Sequence, residues 1–251
     1  MIASLMMYAR PELDVALSAY WRCIRARLAE RGIASPETLS QTTAEFDVWE
    51  DPRLVLSQTC GMPYRTRLHS SVQLVGTPDY ALEGMPAGYY CSAIVVRADD
   101  PREDLRAFSN ARMVFNMAHS QSGFAAFYSH AKAAGFWFAS RAQSDGHVNS
   151  ARMIAQGTAD IAAIDAQTWR LIQRHEPWAN KLRVLEYTTP TPGLPYITGP
   201  QQNAKAVSEA VRESINDLSA EDRSMLDLNG LVSIPKSAYM AIPNPPIKAR
   251  L

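Results

Sequence analysis

Short apolar runs alternate along the chain with stretches in which apolar residues recur every three or four positions, a pattern that predicts strands each followed by a helix. Ile2 to Met7 reads as a first strand, and Arg10-Pro11-Glu12 opens a helix that carries Leu13, Ala16, Leu17, Tyr20, Ile24 and Leu28 on one face as far as Gly32. Leu54-Val55-Leu56 and Val72 to Val75 predict two further short strands. The run from Gly88 to Arg97 is the strongest strand signal, rich in β-branched and aromatic residues and long enough to pass from one sheet into another. Arg112 to Asn116 predicts a buried strand, and a helix begins again after Gly123. Val148, Ala151, Ile154 and Ala155 stripe a helix that stops at Gly157, and Asp160 to Asp165 is a small-residue strand ahead of a helix from Ala166. Leu182 to Tyr187 forms one more strand. Helices over Gln201 to Leu218 and from Ser219 to Gly230 follow, and Pro243, Pro245 and Pro246 keep the tail extended.

Such alternation predicts an α/β architecture with mainly parallel sheets, in which strand-to-helix junctions share one edge. Three polar groups fall at such junctions: the loop Ser120-Gln121-Ser122-Gly123, His147, and Asp165. The first turn of a helix has amides without internal partners and a positive dipole end, so the serine loop can hold a phosphate-like or carboxylate group without a lysine. Ser120 and Ser122 add hydroxyl donors, and Gly123 lets a ligand come close to the backbone. A serine or aspartate at these positions also fits a plain helix N-cap, an alternative that applies to Ser122 and to Asp165. Tyr8, at the end of the first strand, and Gln58, Thr59, Tyr64 and Arg65, after the Leu54 run, are further polar contacts at strand ends.

The chain has 251 residues, enough for one large domain or two smaller ones, and two are expected. Lys plus Arg equals Asp plus Glu at 25 each, so no basic field is present to hold nucleic acid or an anionic membrane. Cys23, Cys60 and Cys91 are widely spaced and odd in number, which predicts neither a zinc site nor a disulfide framework, and no cofactor is expected. The first residues are apolar but have no basic segment before them, so no signal peptide is read; as written the chain is expected to be soluble and cytoplasmic, or periplasmic if its true start lies upstream.

The order Tyr89 to Arg97, Asn116, Ser120-Gln121-Ser122-Gly123, Gly146-His147, Gly157 to Asp165 and Pro192-Gly193-Leu194-Pro195 resembles the phosphate, phosphite and phosphonate-binding proteins of ABC importers, which have the type II periplasmic binding-protein fold. The resemblance implies two α/β lobes joined by two crossings, near Tyr90 to Val95 and Pro190 to Ile197. Lobe one would be 1–92 with 193–251, and lobe two 93–192. It implies a non-catalytic solute-binding protein that closes by hinge motion over a small oxyanion, with an ABC transporter permease as partner and without membrane insertion. Ser120, Gln121 and Ser122 would grip the phosphonate oxygens, His147 would be the family's histidine, and Tyr8, Thr59, Tyr64, Arg65 and Asp165 would face the rest of the ligand. Gln121 departs from the small hydroxyl residue common at that place. Two alternatives remain open: a cytosolic ligand sensor on the same fold, and a serine hydrolase with Ser122 as nucleophile, His147 as base and Asp165 as its orienter.

Overall fold

In the computed structural model, which describes residues 1–249, contacts divide the chain into two compact units. Unit one is Met1–Tyr89 with Pro192–Ala241, and unit two is Tyr90–Thr191 with the chain from Ile242 on. The tail therefore groups with unit two, against its expected place in lobe one. Pro243, Pro245 and Pro246 lie outside helix and strand, ahead of the 3₁₀ turn Ile247–Ala249.

Unit one is built on a five-stranded sheet in the order Ile2–Ser4, Leu54–Gln58, Tyr196–Thr198, Gln73–Asp79 and Gly230–Val232. Ile2–Ser4 and Leu54–Gln58 are parallel, whereas Tyr196–Thr198 runs antiparallel to both its neighbours and Gly230–Val232 antiparallel to Gln73–Asp79. The first strand stops at Ser4, and Met6–Tyr8 forms a single 3₁₀ turn instead of continuing it. The amphipathic helix Asp14–Glu30 packs on Ala204–Asp217, with Arg27–Asp217 at 2.7 Å and Arg31–Glu213 at 2.6 Å across their exposed sides. Exposed pairs of this kind add at most about 1 kcal/mol each, so apolar burial carries the packing. Trp49, Leu54, Tyr64, Leu68, Ile197 and Tyr239 meet in one core cluster. Beside it Gly88 has φ +74°, and a Cβ there would come within 2.2 Å of Val232 Cγ2.

Unit two has a five-stranded sheet in the order Arg141–Gln143, Met113–Phe115, Ile161–Asp165, Ser92–Arg97 and Leu182–Tyr187. Met113–Phe115 is parallel to both its neighbours, and Ser92–Arg97 is antiparallel to both of its own. Strands of one direction thus predominate in each unit, with a reversed strand placed inside the sheet. Ile94 and Val96 point into an aromatic core with Phe108, Phe124, Phe127 and Phe138, while Ala93 and Val95 point into an aliphatic one with Ile154, Ile164 and Ile172. Burial on both faces is why this strand reads as an unbroken apolar run. The run does change sheet: Tyr89–Tyr90 belongs to a separate two-stranded sheet, and the main ladder starts at Ser92.

Candidate functional site

Three strands of unit two lie side by side in one direction, and each delivers a polar group at its C-terminal end. Met113–Phe115 leads to Asn116 and the serine loop, Arg141–Gln143 leads to His147 at the start of its helix, and Ile161–Asp165 ends on Asp165. Parallel neighbours place these three junctions at the same edge.

Ser120 is the N-cap of the helix that follows. Its backbone is extended (φ −75°, ψ 133°), and its Oγ accepts from the Gly123 amide at 3.1 Å. The capping role anticipated for Ser122 therefore falls to Ser120. The first turn, Gln121–Ala126, is π-helical, with the Ala125 amide donating to the Ser120 carbonyl at 3.0 Å. Such wide turns recur at functional sites, and Ser122 lies in the first turn, where amides have no partner inside the helix. Ser120, Gln121 and Ser122 are all buried. No lysine or arginine lies between Met113 and Ala131, so what this segment itself offers a negative group is amides, hydroxyls and the dipole end.

Ser122 Oγ is 2.8 Å from His147 Nε2 and 3.5 Å from Ser120 Oγ. The Ser122 carbonyl accepts from Ser92 Oγ at 3.0 Å, which fixes the turn from below. Asn116 Nδ2 lies 3.4 Å from the same His147 Nε2. Burial lowers the His147 pKa to about 4, so the ring is neutral at ordinary pH. Gly123 does not have positive φ; its missing Cβ makes room for protein, because a Cβ would stand 2.0 Å from Asn116 Oδ1 and 3.1 Å from His147 Cε1. The bare Cα that suggested close approach by a ligand is occupied by Asn116 and His147.

Asp165 is buried and accepts from the Thr168 amide at 2.9 Å, the helix N-cap alternative read from the sequence. It stands opposite Ser92 in the ladder, the residue whose Oγ donates to the Ser122 carbonyl. The hydrolase arrangement is therefore incomplete. Ser122 and His147 are at nucleophile–base distance, but His147 Nδ1 has no acceptor among the described residues and Asp165 is engaged at its own helix.

The other candidates lie in unit one. Thr59 is buried just past the Leu54–Gln58 strand, with its amide donating to the Pro195 carbonyl at 3.0 Å. Tyr64 opens a second π-helical turn, Tyr64–Leu68, and packs edge-on against Tyr239 at 5.3 Å. Its ring belongs to the core. Arg65 is buried too. Tyr8 lies edge-on to Tyr80 at 5.1 Å, and the Tyr80 hydroxyl accepts from Gln58 Nε2 at 3.2 Å, which gathers Tyr8, Gln58 and Tyr80. Asn116 and Ser92 were missed as site residues: the sequence places Asn116 at a strand end, but only coordinates put both against Ser122 and His147. Among the described residues no cluster of His, Cys, Asp or Glu could hold a metal ion, and no helix is long and apolar enough to cross a membrane.

Comparison with solved structures finds the same fold at low identity. PhnD1 of Prochlorococcus marinus, solved with methylphosphonate, matches with a TM-score of 0.73 and 13% identity over 95% of this chain and 93% of that one. A Xanthomonas citri protein bound to ATP matches with a TM-score of 0.67 and 14% identity over 94% and 91%. The binding-protein component of a Pseudomonas aeruginosa ABC phosphonate transporter matches with a TM-score of 0.64 and 13% identity over 95% and 82%. A sequence search of curated proteins finds no match. A family described as "ABC transporter, phosphonate, periplasmic substrate-binding protein" matches residues 59–238, a span that takes in both the Thr59 turn and the serine loop. The chain belongs to this family of ABC-transporter substrate-binding proteins, which are not enzymes.

Proposed function

We propose that the protein binds a small oxyanion of the phosphonate, phosphate or phosphite class at the Ser120–Ser122 turn and presents it to an ABC permease. The observation that carries the reading is the buried first turn at Ser122, where helix amides lack partners inside the helix, headed by two serine hydroxyls. The Ser120 hydroxyl accepts from Gly123 and keeps its own hydrogen to donate, and the Ser122 hydroxyl can swing from His147 to an incoming oxygen. Family membership supports the transport role, and the methylphosphonate named with PhnD1 suggests the ligand class. A neutral His147 beside the turn adds no charge of its own, so what the turn itself offers is oriented dipoles.

Thermal-shift measurements with phosphate, phosphite, methylphosphonate, a sulfonate and a carboxylate test this. An anion present at about a hundred times its dissociation constant should stabilise the protein by about 2.7 kcal/mol. Ser122→Ala should abolish the shift. A shift from none of the phosphorus oxyanions, or one that survives Ser122→Ala in full, would refute the assignment.

A further inference from the structure

The Nε2 atom of His147 faces two potential donors but has a single lone pair. The Asn116 amide nitrogen can only donate, and in the tautomer with its proton on Nδ1 the ring offers Nε2 as acceptor to either group. Ser122 Oγ makes the short contact at 2.8 Å, while Asn116 Nδ2 stands just beyond hydrogen-bond optimum at 3.4 Å. Asn116 is itself held by packing, since its Oδ1 occupies the space that a Cβ on Gly123 would fill. The groups placed against the ring are Asn116, Ser122 and the Gly123 backbone; burial alone depresses its pKa, and no charged side chain contributes. A neutral ring keeps the lone pair available through the ordinary pH range.

A ligand oxygen at the serine turn needs the Ser122 hydrogen, and giving it up would leave a buried acceptor unmet, which opposes binding. We propose that Asn116 is a positioning residue that acts as the stand-in donor: when the Ser122 hydroxyl turns to the ligand, Asn116 Nδ2 takes over His147 Nε2. The inference deepens the proposed anion site and rests on it for its purpose, though the exchange of donors can be examined without ligand. Gly123 belongs to the same device, because the missing Cβ is what lets Asn116 reach the ring.

The test is 15N NMR of the His147 imidazole in ligand-free protein. In Ser122→Ala, which mimics a hydroxyl turned away, the Nε2 resonance should stay at a hydrogen-bonded position because Asn116 substitutes. In Ser122→Ala/Asn116→Ala it should move to the position of an unbonded imidazole nitrogen. If Ser122→Ala alone moves Nε2 as far as the double variant does, the stand-in role is overturned, whether or not any oxyanion binds. With methylphosphonate as probe, Asn116→Ala should weaken binding about tenfold, and unchanged affinity would contradict the exchange.

Discussion

Gly123→Ala is the substitution for which the geometry speaks most directly. The new Cβ would meet Asn116 Oδ1 at 2.0 Å, Asn116 Cγ at 2.9 Å and His147 Cε1 at 3.1 Å. Asn116 is buried at the end of a core strand, so its side chain cannot swing into solvent without shifting backbone. Overpacking of this kind costs about 1–3 kcal/mol, and the 2.0 Å overlap with a buried side chain puts it at the upper end. Alanine returns about 1 kcal/mol through its better helix propensity, since φ here is not positive. The net loss is about 2 kcal/mol, which for a chain of this size lowers Tm by about 2–4 °C per kcal/mol. Thermal or urea unfolding of Gly123→Ala, Asn116→Ala and the double variant reads it. The double variant should be more stable than Gly123→Ala alone, because removing Asn116 relieves the clash. A Gly123→Ala protein as stable as wild type, or simple additivity of the two losses, would refute the reasoning.

His147 also links stability to pH. Its folded pKa of about 4 lies below the ordinary 6.5, so the folded ring stays neutral where the unfolded one takes a proton. Its contribution is complete above about pH 6.5 and falls by up to about 3 kcal/mol as pH drops toward 4. Urea unfolding across that window should therefore fall off less steeply for His147→Asn, and equal slopes would contradict the burial argument. Asp165→Ala should lose about 1 kcal/mol through the missing N-cap to Thr168, measurable by urea denaturation, while Asp165→Asn should lose less because its side-chain oxygen still caps. Tyr239→Phe removes a hydroxyl that sits 2.6 Å from Thr77 Oγ1 and donates to the Gly193 carbonyl at 3.1 Å, and it should destabilise unit one by about 1–3 kcal/mol. Hydrogen exchange at the unit-one core amides would report that loss, and unchanged protection would count against it.

The junctions that build the serine site were legible because they depend on local pattern. A buried apolar run ending at Asn116, a glycine after two serines and a helical stripe after His147 are each written within a few consecutive residues. Their convergence needed only the parallel placement of three neighbouring strands. What periodicity could not give is anything decided by a partner distant in sequence. The reversed strands Tyr196–Thr198 and Ser92–Arg97 read like any other strand, and only pairing reveals their direction. Ser92 and Asn116 became site residues through contacts with Ser122 and His147, which no spacing encodes. The reason for Gly123 was likewise hidden, since a glycine needed for space looks the same in sequence as one needed for φ. Tyr64 illustrates the converse, for an aromatic after a turn fits a ligand wall as well as it fits the core cluster it joins with Tyr239. The two π-helical turns, at Tyr64 and at Gln121, also escaped a reading that assumes regular helical spacing.

The central claim, that an oxyanion is held by the turn at Ser122, is tested most directly by following backbone amide resonances while methylphosphonate, phosphate or phosphite is titrated into the protein. The Ser122 amide should show the largest downfield proton shift, saturating with the ligand. A saturating ligand that leaves Ser122 unmoved while amides elsewhere respond would contradict the account.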